Sequence, residues 1–202
     1  MEHTEQHPWN CYGPQDSHTL LVGTFPPTKR NWSFDFFYPN KRNFFWKILA
    51  SITSRPLDQE SGEAAVAERK AMLDALNITI TDMGKTIARM DNNSQDENLY
   101  PIAYMDIFQI LKERPLIRKI IFTSSSGKVS ATRWFQNYLA SRDIVYKFPK
   151  MPKPVRDTVQ LNGRAIELVI LYSPSARAAN RISFDRLVEL YKQELILDSE
   201  TM

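Results

Sequence analysis

Leu20-Leu21-Val22-Gly23-Thr24-Phe25-Pro26-Pro27 is the stretch that decides the fold of this 202-residue chain. The short apolar run lacks the polar alternation of a half-exposed strand, so it reads as a strand over Leu20–Thr24 buried on both faces. It breaks off at Gly-Thr-Phe-Pro-Pro, where two prolines end regular pairing and a loop must begin. A buried strand that runs straight into an unusual loop is how an open α/β sheet presents a site.

Working outward, the same grammar repeats. Helical apolar spacing predicts helices over Asn43–Ile52 and Glu63–Leu76, the second with Ala65, Met72, Leu73 and Leu76 facing inward. Short apolar runs predict strands at Ile78–Thr81 and Ile117–Phe122. Helices are expected at Ala103–Leu111, with Pro115 just past its end, and at Val129–Leu139. The stretch from Asp91 to Asn98 is polar and reads as loop. Asn162-Gly163 between Thr158–Leu161 and Ala165–Leu171 is a strong hairpin signal. Ser183 is placed to cap a last helix, Phe184–Leu195. Strands alternating with helices imply a mainly parallel sheet with helices on both faces. Ligands of such sheets bind at the carboxyl ends of the strands, so function is expected just after Gly23, Thr81, Phe122 and Leu171.

Composition narrows the classes. Hydrophobic residues make up 43% and charged residues 24%, an ordinary globular balance. No apolar run approaches the ~18 residues of a membrane span. MEHTEQHPWN lacks the basic-then-apolar pattern of a signal peptide. A single cysteine, Cys11, excludes a disulfide framework or a Cys-rich metal site and points to a reducing, cytoplasmic setting. The net charge of +3, from 26 basic and 23 acidic residues, permits nucleic-acid binding without arguing for it. Residues 1–17 are polar, carry Pro8 and Pro14, and read as an N-terminal arm; residues 18–195 read as one domain and 196–202 as a tail.

The loop after the first strand is dense in aromatic and basic side chains: Phe36-Phe37-Tyr38-Pro39-Asn40-Lys41-Arg42-Asn43-Phe44-Phe45-Trp46. Aromatic rings stack on base faces at roughly 1–3 kcal/mol each, and Lys29, Arg30, Lys41 and Arg42 are suited to phosphates. Phe44, Phe45 and Trp46 lie inside a helix and read as core. Tyr38, before the helix, reads as functional. Asn43 stands where a helix cap is favoured.

These pieces resemble motif 1 of the uracil-DNA glycosylase superfamily: Gly23-Thr24-Phe25-Pro26 after a strand, an aromatic loop, then Asn43-Phe44-Phe45-Trp46 opening a helix. They are most similar to the hypoxanthine-DNA (deoxyinosine) glycosylase branch. Leu171-Tyr172-Ser173-Pro174-Ser175-Ala176-Arg177, with Arg181-Ile182-Ser183-Phe184-Asp185-Arg186-Leu187, resembles the second motif. Ile80-Thr81-Asp82-Met83 falls at the base-reading strand end. The resemblance covers residues 18–195 and implies a three-layer α/β/α sandwich with a small, mainly parallel central sheet.

The resemblance also implies roles. Many members of the superfamily place a water with an Asp or Asn at the third motif 1 position and steady the leaving base with a motif 2 His. Phe25 and Ser173 stand at those places here. The hypoxanthine branch shares both gaps and relies on a motif 1 Asn that corresponds to Asn43, so Asn43 is the implied catalytic residue. Thr24, Phe25, Tyr38 and Asp82 would bind the base: Tyr38 by stacking and Asp82 by accepting from a ring N–H, since an ionised carboxylate only accepts. Ser173, Ser175 and Arg177 would hold DNA beside the lesion.

The implied activity is hydrolysis of the N-glycosidic bond of hypoxanthine or uracil in DNA. It needs no metal, no cofactor and no covalent intermediate, and the enzyme is expected to be a cytoplasmic monomer. Two rivals stay open: a catalytically inactive module that binds damaged or single-stranded nucleic acid, and a glycosylase acting on a free nucleoside or an RNA base. Ser125-Ser126-Gly127-Lys128 is not a phosphate-cradling loop, because Phe122 and Val129 stand where that motif needs Gly and Ser/Thr. Asp106, Glu113 and Asp143 form no ligand set with a His. With every His in or beside the N-terminal arm, no Ser/His/Asp arrangement is expected. The basic Lys147–Arg156 connector reads as a solvated loop.

Overall fold

The computed structural model describes residues 2–90, 98–176 and 181–196. Strands β1 (Glu2–Gln6), β2 (Cys11–Tyr12) and β3 (Thr19–Gly23) precede helices α1 (Phe45–Thr53) and α2 (Gly62–Leu76). Strands β4 (Ile78–Asp82), β5 (Gly84–Met90) and β6 (Leu99–Tyr104) follow, then α3 (Ile107–Glu113), β7 (Lys119–Phe122) and α4 (Ala131–Ala140). The hairpin β8 (Val155–Leu161) and β9 (Arg164–Ile170) leads to α5 (Phe184–Leu195).

Six strands form the main sheet in the order β2-β4-β3-β7-β9-β8. Its centre is parallel, with β3 paired to β4 and β7, and β7 to β9. The edge strands β2 and β8 run antiparallel to their neighbours, so the sheet is mixed at its margins. Side chains of the central strands alternate between two cores. Leu20, Val22, Ile120, Phe122, Leu168 and Ile170 pack with α3 and α4. Leu21, Ile80, Ile121 and Val169 pack with α1, α2 and α5. Both faces are therefore covered, which is why these strands read as unbroken apolar runs.

Local chemistry sets the boundaries. Asn162 and Gly163 both take positive φ, 50° and 71°, the two-residue turn whose twist matches the flanking strands. Ser183 Oγ accepts from Arg186 N and caps α5, as expected. Ser130 and Asp106 cap α4 and α3 in the same way.

Two expectations are corrected, and two strands are added that were not expected. The helix expected over Ala103–Leu111 begins only at Ile107, because Ala103 and Tyr104 end β6. Strands β5 and β6, which sequence patterning did not disclose, form a second sheet in the order β1-β5-β6. Its polar content hid it: Arg89 is 1% exposed inside β5, and β6 carries Pro101, tolerated on an edge strand. The N-terminal segment, expected as an arm, is built into both sheets. Glu2–Gln6 pairs antiparallel with β5, and Cys11–Tyr12 pairs with β4. Arg89 Nε donates to Glu5 Oε1 at 2.7 Å, and Arg89 Nη2 donates to Glu5 Oε2 and to the Pro26 carbonyl, each at 3.0 Å. This two-pronged charge-assisted pair anchors β1 and ties the small sheet to the loop after β3. Among the described residues no helix is long and apolar enough to cross a membrane.

Candidate active site

The carboxyl ends of the parallel strands converge on one cleft of about 430 Å³. Gly23 ends β3, Asp82 ends β4, Thr123 follows β7, and Ser173 to Ala176 follow β9; all line the cleft, together with Thr24 to Pro27, Tyr38 and Asn43. Backbone bonds lock these loops to one another. Met83 N donates to Gly23 O at 2.9 Å, Gly84 N to Thr24 O at 3.0 Å, and Phe44 N to Pro174 O at 2.8 Å. The last bond joins the start of α1 to the loop before α5.

Asn43 precedes α1, and its Oδ1 accepts from Phe45 N at 2.9 Å. The cap position falls to Phe44, which has no side-chain cap bond, so Asn43 stands one residue before the expected cap and closes a local i→i+2 turn, a bond that also fixes which end of the amide is spoken for. No protein acceptor for Nδ2 is found among the described residues, so the N–H donors are the free end of a side chain at the cleft. Such a group can hold a water or a carbonyl oxygen by donation. It cannot take a proton.

Tyr38 adopts φ 49°, a left-handed conformation uncommon for an aromatic residue. Two contacts hold it there. Its ring stacks on Phe45, centroids 4.1 Å apart and planes 20° off parallel, and its hydroxyl bonds Thr123 Oγ1 at 2.5 Å. Burial raises the Tyr38 pKa well above the usual tyrosine range, and the Asp82 charge acts in the same direction. The phenol therefore stays neutral.

Asp82 is 6% exposed and, among the described residues, is the only acidic one lining the cleft. Its Oδ1 lies over Gly23, where an added Cβ would come within 2.1 Å. That proximity gives Gly23 its reason: any side chain there would fill the carboxylate's place. Asp82 Oδ2 meets His7 Nε2 at 2.9 Å. Phe25 is 9% exposed and packed into the core beneath the cleft, edge-on to the His7 ring at 5.2 Å.

Ser173 Oγ accepts from Ser175 N at 3.2 Å and shapes the loop before α5. Arg177 lies outside the described residues. Of the three residues read as core, Phe45 and Trp46 are buried and Phe44 is half-buried; Trp46 Nε1 donates to Phe37 O at 2.9 Å. Lys29, Arg30, Lys41 and Arg42 are exposed, and Arg42 lines the cleft.

The cleft thus brings together Thr24, Phe25, Tyr38, Asn43, Asp82, Ser173 and Ser175. Two participants escaped the sequence. Thr123 was findable, since it directly follows the third expected strand. His7 was not: nothing in Gln6-His7-Pro8 announces a partner 75 residues away. The N-terminal segment read as an arm thus reaches the site after all, because β1 pairing with β5 delivers His7 to Asp82.

No protein-family model matches the chain, and no curated protein matches it by sequence. Solved structures do. The solution NMR structure of a protein from Methanosarcina acetivorans, described provisionally as a uracil DNA glycosylase, superposes with a TM-score of 0.59 at 19% identity. The match covers 96% of this chain and 99% of that one. Covering nearly the whole of both chains, the likeness shows that the two share a fold.

Proposed function

We propose that this chain is a monofunctional DNA glycosylase that extrudes a deaminated base, hypoxanthine or uracil, and hydrolyses its N-glycosidic bond. The observation that carries this reading is the meeting of Tyr38, Asn43 and Asp82 in one cleft at the carboxyl end of the sheet. Its volume, about 430 Å³, suits one extruded nucleoside. The fold shared with the M. acetivorans protein, and the word glycosylase in that protein's description, support it.

In the proposed reaction the base enters against Tyr38, whose ring is backed by Phe45. Asp82 Oδ1 accepts the ring N–H that hypoxanthine and uracil both offer. Cleavage of a deoxynucleoside is largely dissociative, so the enzyme's task is to hold charge and place a water. Asn43 Nδ2 donates to that water's oxygen and aims it at the sugar carbon; the base leaves with the electron pair of the broken C–N bond and takes a proton from solvent, to which the water gives up one of its own. Ser173 and Ser175 flank the DNA backbone. No metal, cofactor or covalent intermediate enters the scheme, and the enzyme acts as a cytoplasmic monomer.

The test is base release from matched oligonucleotides carrying hypoxanthine, uracil, xanthine or no lesion, scored as alkali-labile strand breaks. Lesion-dependent breaks that vanish in a folded Asn43→Ala variant support the reading. One observation favours a second reading: Phe25 occupies the motif position where many superfamily members carry a water-placing Asp or Asn. Tight lesion binding without release of any base would assign the chain to a binding module instead.

A further inference from the structure

The buried contact between His7 and Asp82 has no place in the scheme above. The His7 side chain is fully buried, and it does not line the cleft. Its backbone N–H donates to Lys85 O at 2.8 Å, which fixes it as the continuation of β1. Its ring sits among Trp9, Phe25 and Phe37, with centroids 5.2 to 5.7 Å away. Nδ1 faces the Trp9 backbone, whose N–H lies 3.1 Å off and whose carbonyl also touches it. Nε2 faces Asp82 Oδ2 at 2.9 Å. An ionised carboxylate only accepts, so the hydrogen of this bond sits on Nε2 whichever way Nδ1 is satisfied.

The consequence lies at the other oxygen. The terminal torsion of an aspartate is broad, so an unanchored carboxylate would turn freely. With Oδ2 held by His7, Oδ1 is fixed over Gly23 and has no hydrogen-bond partner in the protein among the described residues. We propose that His7 is a specificity-determining positioning residue, which presents Asp82 to the extruded base as a single, fixed acceptor. The inference rests on the base-reading role given to Asp82 above.

A single fixed acceptor selects by chemistry. Hypoxanthine and uracil bring one ring N–H to it. Adenine and cytosine bring a ring nitrogen lone pair to the same place, and two acceptors repel. Guanine brings the same ring N–H, so this acceptor does not by itself exclude it. The pair therefore separates hypoxanthine from adenine and uracil from cytosine, each deaminated base from its own parent.

The full chain is compared with His7→Phe, His7→Gln, Asp82→Asn and the double variant His7→Phe/Asp82→Asn, each checked for folding by thermal melting. Two readouts are taken on matched oligonucleotides bearing hypoxanthine or adenine: single-turnover base release, and equilibrium binding by fluorescence anisotropy. Phe fits among the aromatic rings but cannot donate, whereas the Gln amide can place a donor near the Nε2 position. Loss of a charge-assisted bond predicts that His7→Phe lowers the preference for hypoxanthine by about tenfold or more. His7→Gln should keep most of it, and His7→Phe should change nothing further in the Asp82→Asn background. An unchanged preference in folded His7→Phe, or an equal loss with and without Asp82, overturns the inference. If the wild-type chain releases no base, the glycosylase reading fails, and the binding preference alone decides the role of His7. Equal binding of both oligonucleotides by the wild type overturns both.

Discussion

Gly23 shows how little room a single residue leaves at this site. A Cβ there would stand 2.1 Å from Asp82 Oδ1 and 3.1 Å from the Tyr38 hydroxyl, so Gly23→Ala must push the carboxylate aside. Displacement of a reading group by about 1 Å costs roughly 10²-fold in rate. Single-turnover assays of Gly23→Ala should show such a loss with melting little changed; near-normal release would mean that the Asp82 position is not critical. Tyr38→Phe probes a different bond. The stack on Phe45 survives, the bond to Thr123 does not, and stability should fall by about 1 kcal/mol in chemical denaturation. Legibility at this scale followed position. Asn43, Tyr38 and Asp82 stand in or beside loops that follow or precede clear elements, so local pattern and resemblance found them. His7 is set by pairing between strands far apart in sequence, and short-range pattern holds no trace of that.

Among the elements, the β8–β9 hairpin and the capped helix α5 were legible because their determinants are local: Asn162-Gly163 with both φ positive, and Ser183 bonding Arg186 N. Gly163→Ala meets no neighbour but must hold φ near 71°, so a loss of about 1 kcal/mol is expected from backbone strain alone. A denaturation midpoint unchanged from wild type would show that the turn relaxes to another type. The β1-β5-β6 sheet was illegible because its buried members include charge. Arg89 in β5 looks like a surface residue until Glu5 arrives from the N-terminus. Removing one partner of a buried pair typically costs 3–5 kcal/mol. With the Glu5 side chain 23% exposed, Glu5→Ala should fall at about the lower end of that range, read from denaturation curves. A loss below about 1 kcal/mol, the scale of exposed pairs, would demote β1 to a loosely attached strand.

At the level of the whole molecule, several tyrosines are tied to both faces of the main sheet. Burial pushes the Tyr12 pKa up to about 12, and its hydrogen bond to Asp74 adds to the rise. Tyr38, Tyr138, Tyr146 and Tyr191 are likewise raised, with burial the main cause in each. A group whose folded pKa is raised stabilises the fold fully below its unfolded pKa, near 10 for tyrosine, and that stability drains away as pH climbs through the folded value. Melting temperature should therefore hold up to about pH 10 and then fall steeply toward pH 12, in step with tyrosinate absorbance. A gradual decline beginning near pH 8 would point elsewhere. The three-layer arrangement itself was legible, because central strands covered on both faces cannot conceal their apolar runs.

The bond from Phe44 N to Pro174 O carries a consequence for how the protein comes into being. A ribosome delivers Tyr38, Asn43 and Asp82 early, yet the wall that completes their cleft emerges only after β9. A nascent chain halted before Pro174 would carry Tyr38, Asn43, Asp82 and every strand of the main sheet, but neither the carbonyl that holds the start of α1 nor the helix α5. Such a fragment should release no base, because the proposed chemistry waits on a cleft wall that is made after the sheet.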